Sequence, residues 1–363
     1  MQVFLDNFTA ITWQMVVMWV IGGALIYLAI KKDMEPTLLL PMGFGAILIN
    51  LPFSGATDVI ETLYNAGIAN ELFPLLLFIG IGAMMDFGPL LSNPRMLLFG
   101  AAAQFGIFFT LSVASLLGFD LKDAASIAII GAADGPTSIV VANFFKTKYV
   151  GAIVVAAYSY MALVPIVQPF CIRLATTRRE RLIRMEYNPQ SVTKTTRILF
   201  PILVTIVAGL AAPASVALVG FLMFGNLLCE CGVLDGLSDT AQKVLANLVT
   251  LLLGLTVAFS MKAEAFLELQ TLMIMGLGLV AFMFDTFGGL LFAKLLNLFM
   301  KKKINPMVGA AGISAFPMSS RVVHKMGLKE DPQNFLLMHA AAANVAGQIA
   351  SVVAGGLIIA LIG

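Results

Sequence analysis

The sequence predicts an all-α polytopic membrane protein built as two inverted repeats, each of about five transmembrane helices plus one re-entrant broken-helix hairpin. Three observations carry this. Of 363 residues, 60% are hydrophobic and only 12% charged, with a mean hydropathy of +0.95, whereas soluble domains carry about a quarter charged residues, so a soluble enzyme is excluded. Stretches such as Ile11 to Ile30, Met96 to Phe119 and Thr271 to Met300 reach the roughly 20 helical residues needed to cross a hydrocarbon core about 30 Å thick. One apolar element in each half is interrupted by glycine, proline and polar residues. The alternating, strand-length pattern of an outer-membrane barrel is missing, and no signal-peptide cleavage pattern is read at the N-terminus.

The elements pair in order. In the first half they lie near 11–31, 36–53, 72–87, 96–119, 124–145 and 149–170, and in the second near 198–212, 213–229, 244–261, 271–300, 305–323 and 334–362. Pro36 followed by Gly43-Phe44 recurs as Pro213 followed by Gly220-Phe221, and Asp134-Gly135-Pro136-Thr137-Ser138 lies opposite Ala315-Phe316-Pro317-Met318-Ser319. The fifth element holds Gly131, Asp134, Gly135 and Pro136 in one half and Gly309, Gly312 and Pro317 in the other, which is incompatible with an unbroken helix. Read as hairpins, these elements leave an odd number of crossings per half, so consecutive halves must be inverted. The expected organisation is a first repeat at 1–170 with its hairpin at 124–145, a basic linker at 171–197, and a second repeat at 198–363 with its hairpin at 305–323.

Charge supports that topology. Between Cys171 and Arg197 stand seven cations (Arg173, Arg178, Arg179, Arg181, Arg184, Lys194 and Arg197) against Glu180 and Glu186, so the rest of a chain of net charge +2 is acidic overall. The positive-inside rule places this linker in the cytoplasm, together with Lys31, Lys32, Arg95 and Lys301 to Lys303. The acidic segment with Asp58, Glu61 and Glu71 then falls outside, and only Lys122, Lys146, Lys148 and Lys262 run against the rule. Inverted repeats with broken helices meeting at the midplane are how many ion-coupled transporters form their sites, with exposed carbonyls and half-helix ends as ligands.

An ionised side chain at the bilayer centre costs about 2.5–3.5 kcal/mol on insertion scales. Asp134, apolar on both sides and at the helix break, is therefore read as paired, ligating or cavity-lining rather than as a surface turn. The second hairpin supplies Asn305, Ser314, Ser319, Ser320 and Arg321, the last being the only arginine after the linker. A guanidinium suits a carboxylate, with a snorkelling interfacial anchor as the alternative. Asn344 interrupts the small-residue run from His339 to Gly347, and Tyr160 stands at the equivalent place in the first half. Carboxylate, phenol, hydroxyl and amide oxygens suit a hard cation such as Na+ and offer nothing soft. Asp285, inside a long apolar stretch, is a proton or ion relay candidate, and Asp86 reads as an end-cap. Cys171, Cys229 and Cys231 read as buried apolar residues, without zinc spacing. There is no phosphate-binding G-x-x-x-x-G-K-[ST] loop.

The segments Gly131-Ala132-Ala133-Asp134-Gly135-Pro136-Thr137, Lys303-Ile304-Asn305-Pro306 through Gly309, Gly312, Ser314, Pro317 and Arg321, and Met338-His339 through Asn344-Val345-Ala346-Gly347 resemble the membrane-embedded β subunits of the sodium-pumping biotin-dependent decarboxylases. The likeness covers essentially the whole chain. It implies that carboxybiotin arrives on a partner subunit and is decarboxylated, and that the free energy exports Na+ while a proton is consumed. It further implies a sodium-site role for Asp134, Tyr160, Ser314 and Asn344, a functional role for Asn305, Gly309 and Arg321, and a carboxylate-orienting role for Arg321. The implied partners are a biotin carrier subunit, a carboxyltransferase subunit and a small membrane subunit, in a bacterial inner membrane. Membrane lipid surrounds the chain, a homo-oligomer is compatible, and no nucleic acid is expected. No Met-Lys-Met biotin acceptor occurs, since Met261-Lys262 is followed by Ala263, so biotin is expected on another polypeptide. The chain length favours methylmalonyl-CoA or glutaconyl-CoA over oxaloacetate systems. The alternative functions are an independent sodium-coupled transporter or antiporter and, below it, a passive channel; co-isolation with a biotinylated subunit discriminates them.

Overall fold

The apolar stretches become helices, and the breaks between them fall at proline, glycine and capping residues. The computed structural model describes residues 2–32, 34–187 and 192–363, and those residues contain no strand. Among them, eight helices are long and apolar enough to cross a membrane, or nine if one bent pair forms a span.

The main helices of the first half, spanning and shorter alike, are α1 (Trp13–Lys32), α2 (Pro36–Ile49), α3 (Ala56–Gly67), α4 (Leu72–Met84), α5 (Pro94–Leu116), α6 (Leu121–Ala128), α7 (Gly135–Phe144) and α8 (Val150–Ala175), of which α1, α5 and α8 are long enough to span. The second half has α9 (Lys194–Ala211), α10 (Pro213–Glu230), α11 (Asp235–Met261), α12 (Leu269–Phe299), α13 (Pro306–Ala310), α14 (Met318–Glu330) and α15 (Leu337–Ile362). Local chemistry explains the ends. Pro36 opens α2 at a position where its missing N–H is no loss. Asp120, Asp134, Thr193 and Asn305 accept backbone N–H groups at the starts of α6, α7, α9 and α13, satisfying donors that have no partner inside the helix.

The elements pack across the two halves. Helix α4 lies against α10 and α11 against α2; α8 lies against α12 and α15 against α5; and α5 lies against α12. Both broken elements are enclosed. Helices α6 and α13 rest on α5 and α12 respectively, while α7 packs on α8 and α15, and α14 on α15 and α8.

Several boundaries differ from the sequence expectation. The acidic segment around Asp58 and Glu61 is helix α3, bent by 64° from α4, with Glu71 in the left-handed region at the corner. Helix α11 begins at Asp235 and contains a π turn at Thr240–Leu245. The first broken element spans 121–144 and the second 306–330. The latter runs seven residues past the expected 323 because its end is strapped to the linker. The expected linker, 171–197, shrinks to the connection between Ala175 and Lys194, and four of its residues, 188–191, lie outside the described ones. Cys171 is buried, but Cys229 is exposed and Cys231 half-buried, because the end of α10 turns that face outward.

The linker is a built latch rather than a free loop. Arg181 Nε contacts Glu330 Oε1 at 2.7 Å, its Nη1 donates to the Thr176 carbonyl at 2.7 Å, and its own carbonyl accepts from Asn305 Nδ2 at 2.8 Å and Asn334 Nδ2 at 3.1 Å. Arg184 pairs with Asp331 at 2.6 Å and Lys294 with Glu180 at 3.1 Å. Burial opposes ionisation of Glu180, but the Thr177 backbone N–H and Lys294 hold its carboxyl below the usual value. The hydrogen bond from Arg184 does the same for Asp331.

Candidate functional site

At the first break α6 tightens into a 3-10 turn, Ile129–Ala132, and Ala133 takes a left-handed φ of 52°. The chain then extends at Asp134 and restarts as α7. Both lone-pair directions of the Asp134 carboxylate are used unequally. Its Oδ2 accepts from Thr137 Oγ1 at 2.7 Å, Gln348 Nε2 at 2.9 Å and Ser351 Oγ at 2.9 Å, while Oδ1 has one long contact, the Thr137 N–H at 3.4 Å. Asp134 is 3% exposed. The N-terminus of α7 adds a positive dipole end beside it, which offsets part of the cost of burying a carboxylate.

A cavity of about 170 Å³ adjoins this carboxylate, and Tyr158, Ser314, Phe316, Pro317 and Gln348 also line it. Gly135 is required here by close approach, because a Cβ at that position would lie 2.3 Å from the Tyr158 ring. The Tyr158 hydroxyl is buried without a hydrogen-bond partner among the described residues.

The second break meets the first directly. Ser314 donates from its N–H to the Ala132 carbonyl at 3.2 Å and from its Oγ to the same oxygen at 2.5 Å. Asn344 Nδ2 donates to the Ile313 carbonyl at 2.6 Å, and its Oδ1 is buried and unpartnered among the described residues. The Phe316–Pro317 peptide is cis. Gln168, on α8, bridges the second break by donating to the Ala310 carbonyl at 2.8 Å and to Ser319 Oγ at 2.5 Å. Asp134, Ser314 and Asn344, far apart in sequence, are thus gathered where the two breaks touch.

Other expected site residues stand elsewhere. Tyr160 donates to the Met275 carbonyl on α12 and packs beside Gly278, away from Asp134. Asn305 is fully engaged at the far end of the second broken element, capping α13 and holding the linker carbonyls of Arg181 and Ile183. Gly309 lets α13 touch α12 backbone to backbone, since a Cβ there would lie 2.1 Å from the Gly289 oxygen. Arg321 is exposed on α14 and has no ion pair among the described residues. Asp86 behaves as a cap, accepting from the Gly88 N–H at 2.7 Å, and pairs with Arg197 at 3.2 Å.

Asp285 is a cap of a different kind. Helix α5 breaks at Gln104, and Asp285 Oδ1, from α12, accepts the Ile107 N–H at 3.0 Å, a donor it shares with the Gln104 carbonyl at 3.1 Å. Its Oδ2 is buried without a partner among the described residues and faces Gly131, where a Cβ would come within 2.9 Å. The contacts of Gln348, Ser351 and Tyr158 with this region were not anticipated from the sequence. One signal was available for the first two: Asn344, Gln348 and Ser351 follow one another at i, i+4 and i+7, a polar stripe on one face of an apolar helix.

Comparison with known proteins finds similarity over almost the whole chain. Residues 14–362 match the family described as the Na+-transporting oxaloacetate decarboxylase beta subunit. The chain is 51% identical to the glutaconyl-CoA decarboxylase subunit beta of Acidaminococcus fermentans, covering 99% of this chain and 96% of that one. It is 49% identical to the methylmalonyl-CoA decarboxylase subunit beta of Veillonella parvula, covering 98% and 95%. It is 42% identical to the oxaloacetate decarboxylase beta chain of Klebsiella pneumoniae, covering 94% of each. With matches of this extent, this multi-pass membrane chain belongs to the family of the Na+-transporting oxaloacetate decarboxylase beta subunits.

Proposed function

We propose that this decarboxylase subunit, which couples decarboxylation to sodium transport, takes carboxybiotin from a partner, decarboxylates it on the cytoplasmic side and exports Na+ through the meeting point of the two breaks, with a proton consumed. The observation that carries the ion site is the gathering of Asp134, Ser314 and Asn344 where the two breaks touch, with Asp134 and Ser314 lining one cavity. Oxygen donors on two half-helix ends suit a hard cation without water. Asp134 Oδ1 and Asn344 Oδ1 are the two acceptors with spare capacity, and Na+ binds between these breaks as the transported substrate. Tyr160 belongs to the same reading as a residue of the surrounding shell, and Tyr158 as the phenol at the cavity.

The two halves work as inverted repeats, each with one re-entrant hairpin. Support comes from the exchange of partners: α4 with α10 answers α11 with α2, and α8 with α12 answers α15 with α5. Each last helix also sends a glutamine into the other half's break, Gln348 to Asp134 and Gln168 to Ser319. Two of the four cations that run against the charge rule find local partners, Lys148 over the Tyr149 ring and Lys262 over the Phe259 ring.

Arg321 is the cation for the carboxylate of carboxybiotin, which fits its freedom from any ion pair among the described residues. Asn305 and Gly309 act by holding the second hairpin to the linker and to α12. Biotin rides on a carrier subunit, and a carboxyltransferase subunit and a small membrane subunit complete the complex in a bacterial cytoplasmic membrane. The higher identity to the acyl-CoA subunits favours glutaconyl-CoA or methylmalonyl-CoA as the substrate of the whole complex. Moving a positive charge outward against 100 mV costs about 2.3 kcal/mol, so export needs the exergonic step. The test is reconstitution with the partner subunits: carboxybiotin is expected to drive Na+ into inverted vesicles. Na+ movement that proceeds unchanged without carboxybiotin would return the chain to the independent-transporter reading.

A further inference from the structure

A second cavity, of about 510 Å³, opens between the linker, the start of α5 and the connection from α12 to α13. Its size lies within the roughly 300–1,000 Å³ of small-molecule sites. Arg95, Arg184, Lys302 and Lys303 line it against one acid, Glu186. Arg184 is engaged by Asp331 and Lys303 by the Asn297 carbonyl, while Arg95 and Lys302 have no ion pair among the described residues. Most of the remaining wall is apolar, from Met96, Met185, Met300, Ile183 and Ile304.

His339 completes this cavity. It is 8% exposed, its ring meets Tyr187 edge to face with centroids 5.6 Å apart, and its Nε2 is buried with no hydrogen-bond partner among the described residues. Nothing in the cation site uses this nitrogen. A buried imidazole nitrogen without a partner costs free energy unless a ligand supplies one. Cations around an apolar floor fit an anionic group on a flat ring, through charge-assisted hydrogen bonds and contact with methionine.

We propose that this cavity is a recognition site for the carboxylated ring of biotin, with His339 Nε2 hydrogen-bonding it, reached before Arg321. The proposal rests on the carboxybiotin reading above. The order follows from position along one helix: the cavity wall residue Arg184 is tied to Asp331 at the end of α14, and Arg321 lies ten positions back from it, about 15 Å away at 1.5 Å per residue. Helix α15 also carries His339 nine positions before Gln348, so one rigid helix joins this cavity to the Asp134 break.

Two measurements on the reconstituted complex test it. The first is the initial rate against the concentration of free carboxybiotin, in phosphatidylcholine vesicles with and without an anionic phospholipid. His339→Phe, which keeps the ring, and the double variant Arg95→Gln/Lys302→Gln are each expected to raise KM about tenfold, the equivalent of one charge-assisted hydrogen bond, with kcat changed less than about threefold. Arg321→Lys is expected to lower kcat instead. The second is the nitrogen resonance of His339, one of two histidines in the chain, which is expected to shift saturably with carboxybiotin, weakly in the double variant. Unchanged KM together with an unshifted resonance overturns the proposal. So does a resonance shift produced by the anionic lipid and not by carboxybiotin, which would make the cavity a headgroup site. If the resonance shifts but the wild-type complex does not decarboxylate carboxybiotin, the proposed function fails and the anion site stands.

Discussion

Asp134 accepts three hydrogen bonds on one oxygen and a long one on the other, so its second oxygen is the natural place for a cation. Asn at this position keeps the shape and loses the charge. Asp134→Asn is expected to raise the Na+ concentration for half-maximal decarboxylation by about a hundredfold, the equivalent of about 3 kcal/mol, with the protein still inserted. Wild-type Na+ dependence would refute a ligand role. Asp285 makes a different prediction, because its Oδ1 caps an interrupted helix. Asp285→Asn keeps that acceptor and is expected to retain activity. Asp285→Ala leaves the Ile107 N–H with only its 3.1 Å contact to the Gln104 carbonyl, a cost of about 1 kcal/mol, read as a lower thermal midpoint in detergent. An inactive but stable Asn variant would show that the carboxylate carries a proton or an ion instead.

At the scale of elements, the second broken segment is not held by its own helices alone. Arg181 ties the linker to Glu330, to Asn305 and to Asn334, so one residue joins the linker to both ends of the segment. Arg181→Ala is expected to release the linker and speed tryptic cleavage between Arg178 and Arg184 severalfold, with insertion unchanged. The latch also depends on pH with a definite sign. Glu180 and Asp331 have lowered pKa values in the folded chain, so their stabilisation is present above the ordinary carboxylate range near 4 and is lost as pH falls through the lowered values. Acid cleavage by a pepsin-like protease is therefore expected to begin in the linker, before the helices open. Cleavage starting elsewhere would show that the latch is not the weakest point under acid.

For the whole molecule, the proposed inverted arrangement demands that α3 and the connection from α12 to α13 lie on opposite sides. Thr62 and Lys302 are both exposed, so single cysteines placed there are expected to react with a membrane-impermeant reagent from opposite faces of sealed vesicles; labelling from one face ends the topology. Much of the all-helical, membrane-spanning architecture was legible in the chain. Low charge and apolar lengths specify spans because the bilayer demands satisfied backbone and offers no partners for charge. The two interrupted elements and Asp134 announced themselves as exceptions to that demand. The companion residues did not. Tyr158 and Tyr160 sit two positions apart on one helix, hence about 200° apart around it, and composition cannot say which faces the break. Nor could the sequence say that Asn305, expected to have a functional role, would also tie the linker to the second broken element. The sequence alone determined that the chain spans a membrane, where its helices break and which acid lies at a break, since these follow from local hydropathy and backbone stereochemistry. Only the tertiary structure decided which oxygens surround that acid. The partners Ala132 and Ser314, or Asp134 and Gln348, stand 182 and 214 residues apart, and their meeting depends on how the two halves pack, not on any local preference.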